Sequence, residues 1–285
     1  MKAIIFGEVI WDVYPNKKTI GGAPFNFGAN LALLGNEVYL VTAVGKDELG
    51  EEALGKATEY GIRTNLIQKN DYPTGQCTVT LDENKVPSYY VHEDTAYDNI
   101  EVTETEIEKI KKINADVFYL NSLIQRNKVS KKALLKILGE CTFEEIFCDI
   151  NIREGCFDRD SLLVCMENST TFKISDEEIH YLYDMGIVDP NATALKDICK
   201  AFPNINTLVF TKGAKGSEVY DAINDKTYTS PTPPKVNVLS TVGAGDCYGA
   251  VFLDSVKKGE SIEEAIAKAT ERSARVVASY EAIVN

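Results

Sequence analysis

The most informative stretch of the chain reads Leu239-Ser240-Thr241-Val242-Gly243-Ala244-Gly245-Asp246. It follows a β-like segment and opens an amphipathic helix. Two glycines at the start of a helix leave backbone N–H groups uncovered, and the helix dipole adds partial positive charge there. A transferring phosphoryl group would fit such a pocket, and Asp246 stands where it could accept a proton from an attacking hydroxyl. On local sequence this interpretation competes evenly with a glycine turn whose aspartate is favoured by the dipole.

The segments before this stretch alternate between apolar strands and helices. Residues 2–13 and 38–44 are rich in apolar and β-branched side chains and predict strands, the second buried on both faces. Further strands are predicted near residues 117–120, 146–150, 172–174 and 208–210, with helices between them. Because strand and helix alternate along the chain, we expect a doubly wound, mostly parallel α/β sheet with helices on both faces.

Residues 72–100 break this alternation. The side chains of residues 77–81 alternate between apolar and polar, and residues 87–91 form a second predicted strand after a short turn. Half-exposed strands of this kind predict a small antiparallel sheet outside the main one. We expect one domain over residues 1–285, with a β-lid formed by roughly 11–20 and 72–100.

Composition excludes several classes of protein. The chain has 285 residues, of which 44% are hydrophobic and 26% charged, so it is globular rather than disordered. Its formal charge of −13 opposes binding to nucleic acid or anionic lipid, and no apolar run is long enough to span a membrane. Seven cysteines without a C-x-x-C pair, and two histidines, indicate neither a disulfide framework nor a zinc site. We expect a reduced, cytoplasmic protein.

Three other segments place polar residues directly after predicted strands. Thr211-Lys212-Gly213-Ala214-Lys215-Gly216 could let its backbone approach a triphosphate, although a tight strand-to-strand turn explains its glycines as well. Ser175-Asp176-Glu177-Glu178 has the spacing of a helix capping box, which needs no ligand. Asp149-Ile150-Asn151-Ile152-Arg153 ends a strand at the carboxyl edge, where α/β sheets bind ligands, or forms a turn with a solvated ion pair.

Two common nucleotide-binding motifs are excluded. Gly50, Gly55 and Lys56 have the spacing of a P-loop, but Ala57 stands where the Mg²⁺-binding Ser or Thr is required. The glycines of residues 243–246 lack the third glycine of a dinucleotide-binding motif.

Taken together and in this order, the remaining motifs resemble the PfkB family of carbohydrate kinases, whose fold is called ribokinase-like. Gly21-Gly22-Ala23-Pro24-Phe25-Asn26 is similar to the family's amino-terminal signature, and Val242-Gly243-Ala244-Gly245-Asp246 to its carboxyl-terminal one. Thr211-x-Gly213-x-x-Gly216 is similar to its nucleotide loop. The resemblance spans essentially the whole chain.

Within that family several stretches look fructokinase-like. They are Gly7-Glu8-Val9-Ile10-Trp11-Asp12, Glu93-Asp94-Thr95-Ala96-Tyr97-Asp98-Asn99-Ile100, Asn121-Ser122-Leu123-Ile124-Gln125-Arg126 and Asp149-x-Asn151-x-Arg153. The resemblance implies an ATP-dependent kinase that phosphorylates D-fructose at its primary hydroxyl, giving fructose 6-phosphate. The alternatives are a kinase of the same fold for ribose, 2-keto-3-deoxygluconate or a nucleoside, a non-catalytic sugar-binding regulator, or a dinucleotide oxidoreductase.

The resemblance also implies roles in catalysis and sugar binding. Asp246 would deprotonate the sugar hydroxyl, and the backbone amides of Gly243, Ala244, Gly245 and Asp246 would form an anion hole for the γ-phosphate. The residues that would hold the sugar are Asp12, Gly22, Asn26, Arg153 and Asp246, with Arg153 near the sugar or the transferring phosphate.

For the nucleotide, the resemblance implies a site formed by several loops. Its residues would be Ser175, Thr211, Gly213, Gly216, Gly243, Gly245 and Thr270, the last of them near the purine. Glu178 would position Mg²⁺ through water.

This sequence departs from the family pattern at three places. Ser240-Thr241-Val242 replaces the usual Asp-Thr-Thr, Ser175 replaces an Asn, and Glu281-Ala282 replaces a common Gly-Ala pair. The first and third lie where many relatives hold a monovalent cation, so the use of K⁺ is left open. The family commonly dimerises through its lid, and an exposed face of a small sheet often finds a partner. We therefore expect a homodimer formed through the β-lid.

Overall fold

The computed structural model describes residues 1–81, 87–189 and 195–284. Within them the strands are β1 (Lys2–Phe6), β2 (Ile10–Tyr14), β3 (Lys17–Gly21), β4 (Glu37–Gly45), β5 (Ile67–Asn70), β6 (Gly75–Leu81), β7 (Pro87–Val91), β8 (Val117–Leu120), β9 (Glu145–Asp149), β10 (Thr171–Ser175), β11 (Thr207–Thr211), β12 (Ser217–Asp221) and β13 (Lys226–Thr229). The helices are α1 (Ala23–Leu33), α2 (Glu48–Glu59), α3 (Glu104–Ile113), α4 (Lys128–Glu140), α5 (Arg159–Asn168), α6 (Ile179–Asp184), α7 (Leu195–Ala201), α8 (Ala244–Lys257) and α9 (Ile262–Val277).

One large sheet runs through the molecule in the order β13-β12-β11-β10-β9-β8-β1-β4-β5. Seven neighbouring strands of this sheet are parallel to one another, namely β11, β10, β9, β8, β1, β4 and β5. At one edge β12 pairs antiparallel with β11, and β13 pairs antiparallel with β12. Apolar layers cover both faces. Ala3 and Ile5 of β1 pack with α1, α2 and α8, whereas Ile4 and Phe6 pack with α3, α4 and α5. The predicted doubly wound α/β architecture is confirmed.

The order in which strands are added to the main sheet changes direction at β1. From β1 the chain passes to β4 and β5 on one side, and then returns to build β8, β9, β10 and β11 on the other. Ligands of open α/β sheets bind beyond the carboxyl ends of the strands at such a reversal. We therefore expect the functional site among the residues that directly follow β1, β8, β9 and β10.

A second, smaller sheet has the order β3-β2-β6-β7. Its outer pairs are antiparallel, as the sequence predicted, but the central pair of β2 and β6 is parallel. The two hairpins leave the main body separately, after β1 and after β5, and their first strands run side by side. The predicted strand over residues 2–13 is accordingly two strands, because the chain leaves the main sheet at Gly7 to enter the small one. Residues 82–86 of the predicted lid lie outside the described residues.

A buried ion pair ties the chain that leaves the small sheet to the main body. Arg126 donates from Nε and Nη2 to the two carboxylate oxygens of Asp98, both at 2.7 Å, and from Nη2 to the carbonyl oxygen of His92. Its guanidinium also lies over the Tyr97 ring.

None of the helices in the described part of the chain combines the length and the apolar character that a membrane span requires.

Candidate active site

A buried carboxylate marks the reversal point of the sheet. Glu8 follows β1 and is 1% exposed. Its two oxygens accept hydrogen bonds from Asn121 Nδ2, at 3.1 and 2.9 Å, and Oε1 also accepts from the backbone N–H of Ala23. Burial raises the pKa of Glu8 to about 7, although the bond from Asn121 opposes the shift. Glu8 therefore connects the ends of β1 and β8 to the first residue of α1.

The loop before α1 fits closely around this carboxylate. Gly22 has φ +99°, and a Cβ there would lie 2.7 Å from the carbonyl oxygen of Glu8, so only glycine fits without strain. Asn26 lies in the first turn of α1 and donates from Nδ2 to Asp246 Oδ2 at 2.8 Å. The Oδ1 atom of Asn26 is buried and has no hydrogen-bond partner among the described residues. That oxygen remains available to a ligand hydroxyl.

Asp246 lies in the first turn of α8, opposite α1. The helix starts after Gly243, which has φ +80° and packs against Ala282 so tightly that a Cβ there would lie 2.5 Å from the Ala282 Cβ. The N–H of Ala244 bonds to the Thr241 carbonyl at 3.3 Å, and regular helical bonding begins when the Cys247 N–H bonds to the Gly243 carbonyl. The intervening N–H groups of Gly245 and Asp246 point out of the helix end, where they can bind an anion.

The pKa of Asp246 is raised, mainly because burial disfavours its charged form. The hydrogen bond from Asn26 and the charges of Lys173 and Arg153 oppose this shift, and the charge of Glu178 adds to it. A carboxylate with a raised pKa is a better proton acceptor than an ordinary exposed aspartate.

Arg153 and Asp12 complete the group beyond the carboxyl ends. Arg153 follows β9, and its positive charge lowers the pKa of Glu8, Asp12 and Asp246. Asp12 lies on β2, and burial raises its pKa to about 6. Asn151, between β9 and Arg153, has a buried Nδ2 without a hydrogen-bond partner in the described structure.

The segment after β10 is held by Glu178, the residue before α6. Glu178 accepts from the backbone N–H of Ile152 at 2.8 Å through Oε1, and from the Ser175 N–H and hydroxyl at 2.9 and 2.7 Å through Oε2. It therefore joins the chain that follows β9 to the chain that follows β10. Among the described residues, no cluster of three or more His, Cys, Asp or Glu side chains could hold a metal ion directly.

The predicted nucleotide loop connects β11 to β12, which are antiparallel, so it is also the tight strand-to-strand turn that the sequence allowed. Gly213 and Gly216 both have positive φ. The Thr211 carbonyl accepts from the Asp176 N–H at 2.9 Å, and Lys215 pairs with Asp176 at 3.5 Å, so the loop adjoins the Ser175–Glu178 segment.

Thr270 lies on a helix and not in one of these loops. It is a buried residue of α9, a helix that packs on β12 and β13, and its hydroxyl has no hydrogen-bond partner in the described residues.

Comparison with known proteins gives this site its family. A family model described as pfkB family carbohydrate kinase matches residues 2–285. The protein belongs to this family. Similar proteins include 5-dehydro-2-deoxygluconokinase of Mesomycoplasma hyopneumoniae, 28% identical over 93% of this chain and 80% of the relative, and fructokinase-2 of Oryza sativa, 24% identical over 91% and 81%. The fold is similar to that of Vibrio cholerae fructokinase, solved with fructose, ADP and calcium, with a TM-score of 0.82, 18% identity and coverage of 99% of this chain and 94% of that one.

The prediction of a carbohydrate kinase with the ribokinase-like fold is thereby confirmed. Two residues of the candidate site in this PfkB kinase were given no role from the sequence. Glu8 stood within a fructokinase-like stretch but received no role, although a charged residue directly after an apolar strand is a recognisable signal. Lys173 lies inside the apolar β10 and pairs with Asp149 of β9, a charge that an apolar strand does not ordinarily contain.

Proposed function

We propose that this kinase transfers the γ-phosphoryl group of ATP to the primary 6-hydroxyl of D-fructose. The observation that carries the proposal is the hydrogen bond between Asn26 and Asp246, which joins the two family signatures at one point. This bond brings the Asp246 carboxylate and the Asn26 amide together at the amino end of α8, which supports a base and a sugar-binding group at that point.

In the proposed reaction the sugar lies between α1, the small sheet and α8. Asp12, Gly22 and Asn26 hold its hydroxyls, and the free Oδ1 of Asn26 accepts from one of them. Asp246 takes the proton of the 6-hydroxyl as the oxygen attacks the γ-phosphorus, and the bond from that phosphorus to the β–γ bridging oxygen breaks to release ADP. The backbone amides of residues 243–246 stabilise the negative charge of the transferring group. Arg153 faces the same space and adds positive charge to it.

The nucleotide is proposed to bind along the ends of β10 and β11. Its residues are those predicted from the sequence: Ser175, Thr211, Gly213, Gly216, Gly243, Gly245 and Thr270. Glu178 fits a Mg²⁺ bound through water, because both its oxygens already accept protein hydrogen bonds and Mg²⁺ usually retains several waters. When bound, Mg²⁺ neutralises charge on the phosphates. Because Ser240 and Glu281 depart from the family pattern, the use of K⁺ is tested by measuring activity as a function of K⁺ concentration.

Charge in the pocket favours a neutral sugar over an acidic one. The carboxyl groups of Glu8, Asp12 and Asp246 each interact electrostatically with the positive charge of Arg153. When Asp12 and Asp246 are ionised, a sugar acid such as 2-keto-3-deoxygluconate would add a further negative charge beside them, at a cost in binding free energy, whereas Glu8, with a pKa of about 7, adds only partial charge. This argument supports fructose over the substrate in the name of the Mesomycoplasma relative. Ribose and nucleosides are neutral and remain alternatives, as does a regulator that binds sugar without turnover.

We also propose that residues 1–285 form one kinase domain whose β-lid, residues 11–20 and 72–100, covers the sugar and forms a homodimer interface. Tyr90 of β7 is 62% exposed, as a residue awaiting a partner would be. A dimeric mass at micromolar concentration would support this proposal, and a monomeric mass would contradict it. A donor as abundant in the cytoplasm as ATP fits the predicted cytoplasmic location.

The substrate assignment is tested by measuring ADP release with Mg-ATP and a panel of sugars. The panel contains D-fructose, D-ribose, D-glucose, 2-keto-3-deoxygluconate and 5-dehydro-2-deoxygluconate. We expect the highest kcat/KM with fructose and a product phosphorylated at C6. A higher kcat/KM with another sugar would change the substrate assignment but leave the proposed site residues unchanged. Sugar binding without turnover on any panel member would favour the regulator.

A further inference from the structure

A buried ion pair lies directly below the amino end of α8. Lys173 of β10 donates from Nζ to both carboxylate oxygens of Asp149, at 2.9 and 2.8 Å. The two residues are partners in the parallel register of β9 and β10, and they are 4% and 3% exposed. Burying two charges removes their hydration, and the ion pair repays only part of that cost. Stability alone is therefore a weak explanation of this pair.

The ammonium of this pair supports the first turn of α8. A Cβ built on Gly245 would lie 3.3 Å from Lys173 Nζ, so the backbone of Gly245 lies directly over the ammonium. Asp149 occupies two N–H groups of the lysine, and no other acceptor contacts Nζ among the described residues. The positive charge consequently lies just behind the exposed amides that the proposed function assigns to the γ-phosphate.

Several negative charges surround the same point. Asp149, Glu178 and Asp246 each interact electrostatically with Lys173. A triphosphate that approaches these three carboxylates meets repulsion, and the partial charge of one helix end is only about half an elementary charge. Only the lysine side of the ion pair lies within 4 Å of a Cβ built on Gly245, so the pair presents its positive end to the helix end and offsets the repulsion where the phosphoryl group must lie.

We propose that Lys173 is a positioning residue for phosphoryl transfer: its ammonium holds the first turn of α8 from below and supplies the positive charge that lets this acidic end of the sheet accept the γ-phosphoryl group. The proposal rests on the proposed placement of that group at α8. Lys173 touches neither substrate and acts through the helix end and its own field. Its effect should therefore fall on kcat and on the affinity for ATP rather than on the affinity for the sugar.

The first test is the variant Lys173→Met, which has a similar length and no charge. We expect kcat to fall on the order of 10²-fold, as when one donor of an oxyanion hole is removed, with the KM for the sugar within about threefold of wild type. Lys131→Met is the matched control, because Lys131 of α4 pairs with the exposed Asp160 of α5, and neither residue belongs to the proposed site. It should retain the wild-type kcat.

A second variant separates this role from a structural one. Lys173→Met alone leaves Asp149 buried and unpaired, so its loss of activity could follow from instability. The double variant Lys173→Met with Asp149→Leu replaces the pair by apolar side chains, an exchange that often leaves stability unchanged or improved. The proposal predicts a restored unfolding midpoint in urea but a kcat still on the order of 10²-fold low. A third variant, Asp149→Asn, keeps the ammonium and should lose at least about tenfold less kcat than Lys173→Met.

The outcomes distinguish this proposal from the assignment of the site. A double variant that recovers both stability and the wild-type kcat would show a purely structural pair and overturn the role of Lys173. The same conclusion follows if Asp149→Asn and Lys173→Met lose kcat equally. Wild-type turnover in Asp246→Asn, measured in parallel on the best sugar of the panel, would instead overturn the proposed function on which this inference rests.

Discussion

Asn26 donates a 2.8 Å hydrogen bond to the carboxylate of Asp246, although the two residues are 220 positions apart in the chain. Asn26 lies in the first turn of α1 and Asp246 in the first turn of α8, and these helices pack side by side on one face of the sheet. A bond donated to a carboxylate favours its ionised form, the form that accepts a proton. In the proposed function, the Asn26 amide therefore connects sugar binding to the ionisation state of the base.

Replacing Asn26 by Ala should shift the pH dependence of the reaction. Burial already raises the pKa of Asp246, and the bond from Asn26 opposes that rise. Without the bond the pKa rises further, so the acidic limb of kcat/KM should move to higher pH. The value at neutral pH should fall about 10–100-fold, because bonds to charged groups contribute about 1.5–3 kcal/mol.

Asn30 offers the matched control for that experiment. It is buried one turn further along α1 and donates to the Asn26 carbonyl. Asn30→Ala should lower stability while leaving the acidic limb in place. An unmoved limb in Asn26→Ala, or an equal movement in both variants, would contradict the role given to the amide.

Glu8 predicts how the stability of the fold depends on pH. Its pKa is raised from an ordinary value of 4.5 to about 7 because it is buried. The folded protein therefore holds this proton more tightly than the unfolded chain, and the associated stability is fully present below about pH 4.5. That stability, about 3 kcal/mol from the size of the shift, is lost as pH rises through about 7.

The variant Glu8→Gln removes this titration. From pH 5 to pH 8 the melting temperature of the wild type should decrease more steeply than that of Glu8→Gln. Glu108→Gln changes an exposed glutamate of α3 in the same way and should follow the wild type. Parallel curves for Glu8→Gln and wild type would show that Glu8 keeps its charge in the folded protein.

Substituting the two glycines that flank α8 separates the effect of backbone strain from that of the anion-hole geometry. Gly243 before the helix and Gly259 after it have φ +80° and +83°, but a Cβ would clash with Ala282 only at Gly243, whereas Gly259 faces open space. Both Ala variants should lose about 1–2 kcal/mol of stability to the left-handed backbone, and Gly243→Ala should lose more because its Cβ would clash with Ala282. Only Gly243→Ala should also lower kcat, by at least about tenfold, because it shifts the amides that face the phosphate. Equal kcat values would contradict the placement of the anion hole.

Local sequence patterns predicted the main sheet, because each βα unit carries its own signal. The break at Gly7 was missed because residues 2–13 are mostly apolar, and Gly7 and Glu8 interrupt that run without showing that the chain enters a second sheet. The parallel pairing of β2 with β6 was missed for a related reason: alternation shows that a strand is half-exposed but does not identify its neighbour.

For the site, motifs identified Asp246 and Asn26 separately, whereas the bond between them depends on how α1 packs against α8. Lys173 and Asp149 stand 24 positions apart, and only the register of β9 and β10 makes them partners. The sequence therefore identifies residues that carry family motifs, and the tertiary structure identifies the side chains that support them.

The most direct test of the central claim compares two aspartates that both lie in the first turn of a helix. Asp246→Asn changes the proposed base, and Asp160→Asn changes the exposed equivalent in α5. With Mg-ATP and the best sugar, Asp246→Asn should lose ~10²–10⁴-fold of the wild-type kcat while keeping its fold, and Asp160→Asn should lose none. Wild-type turnover by Asp246→Asn would contradict the account.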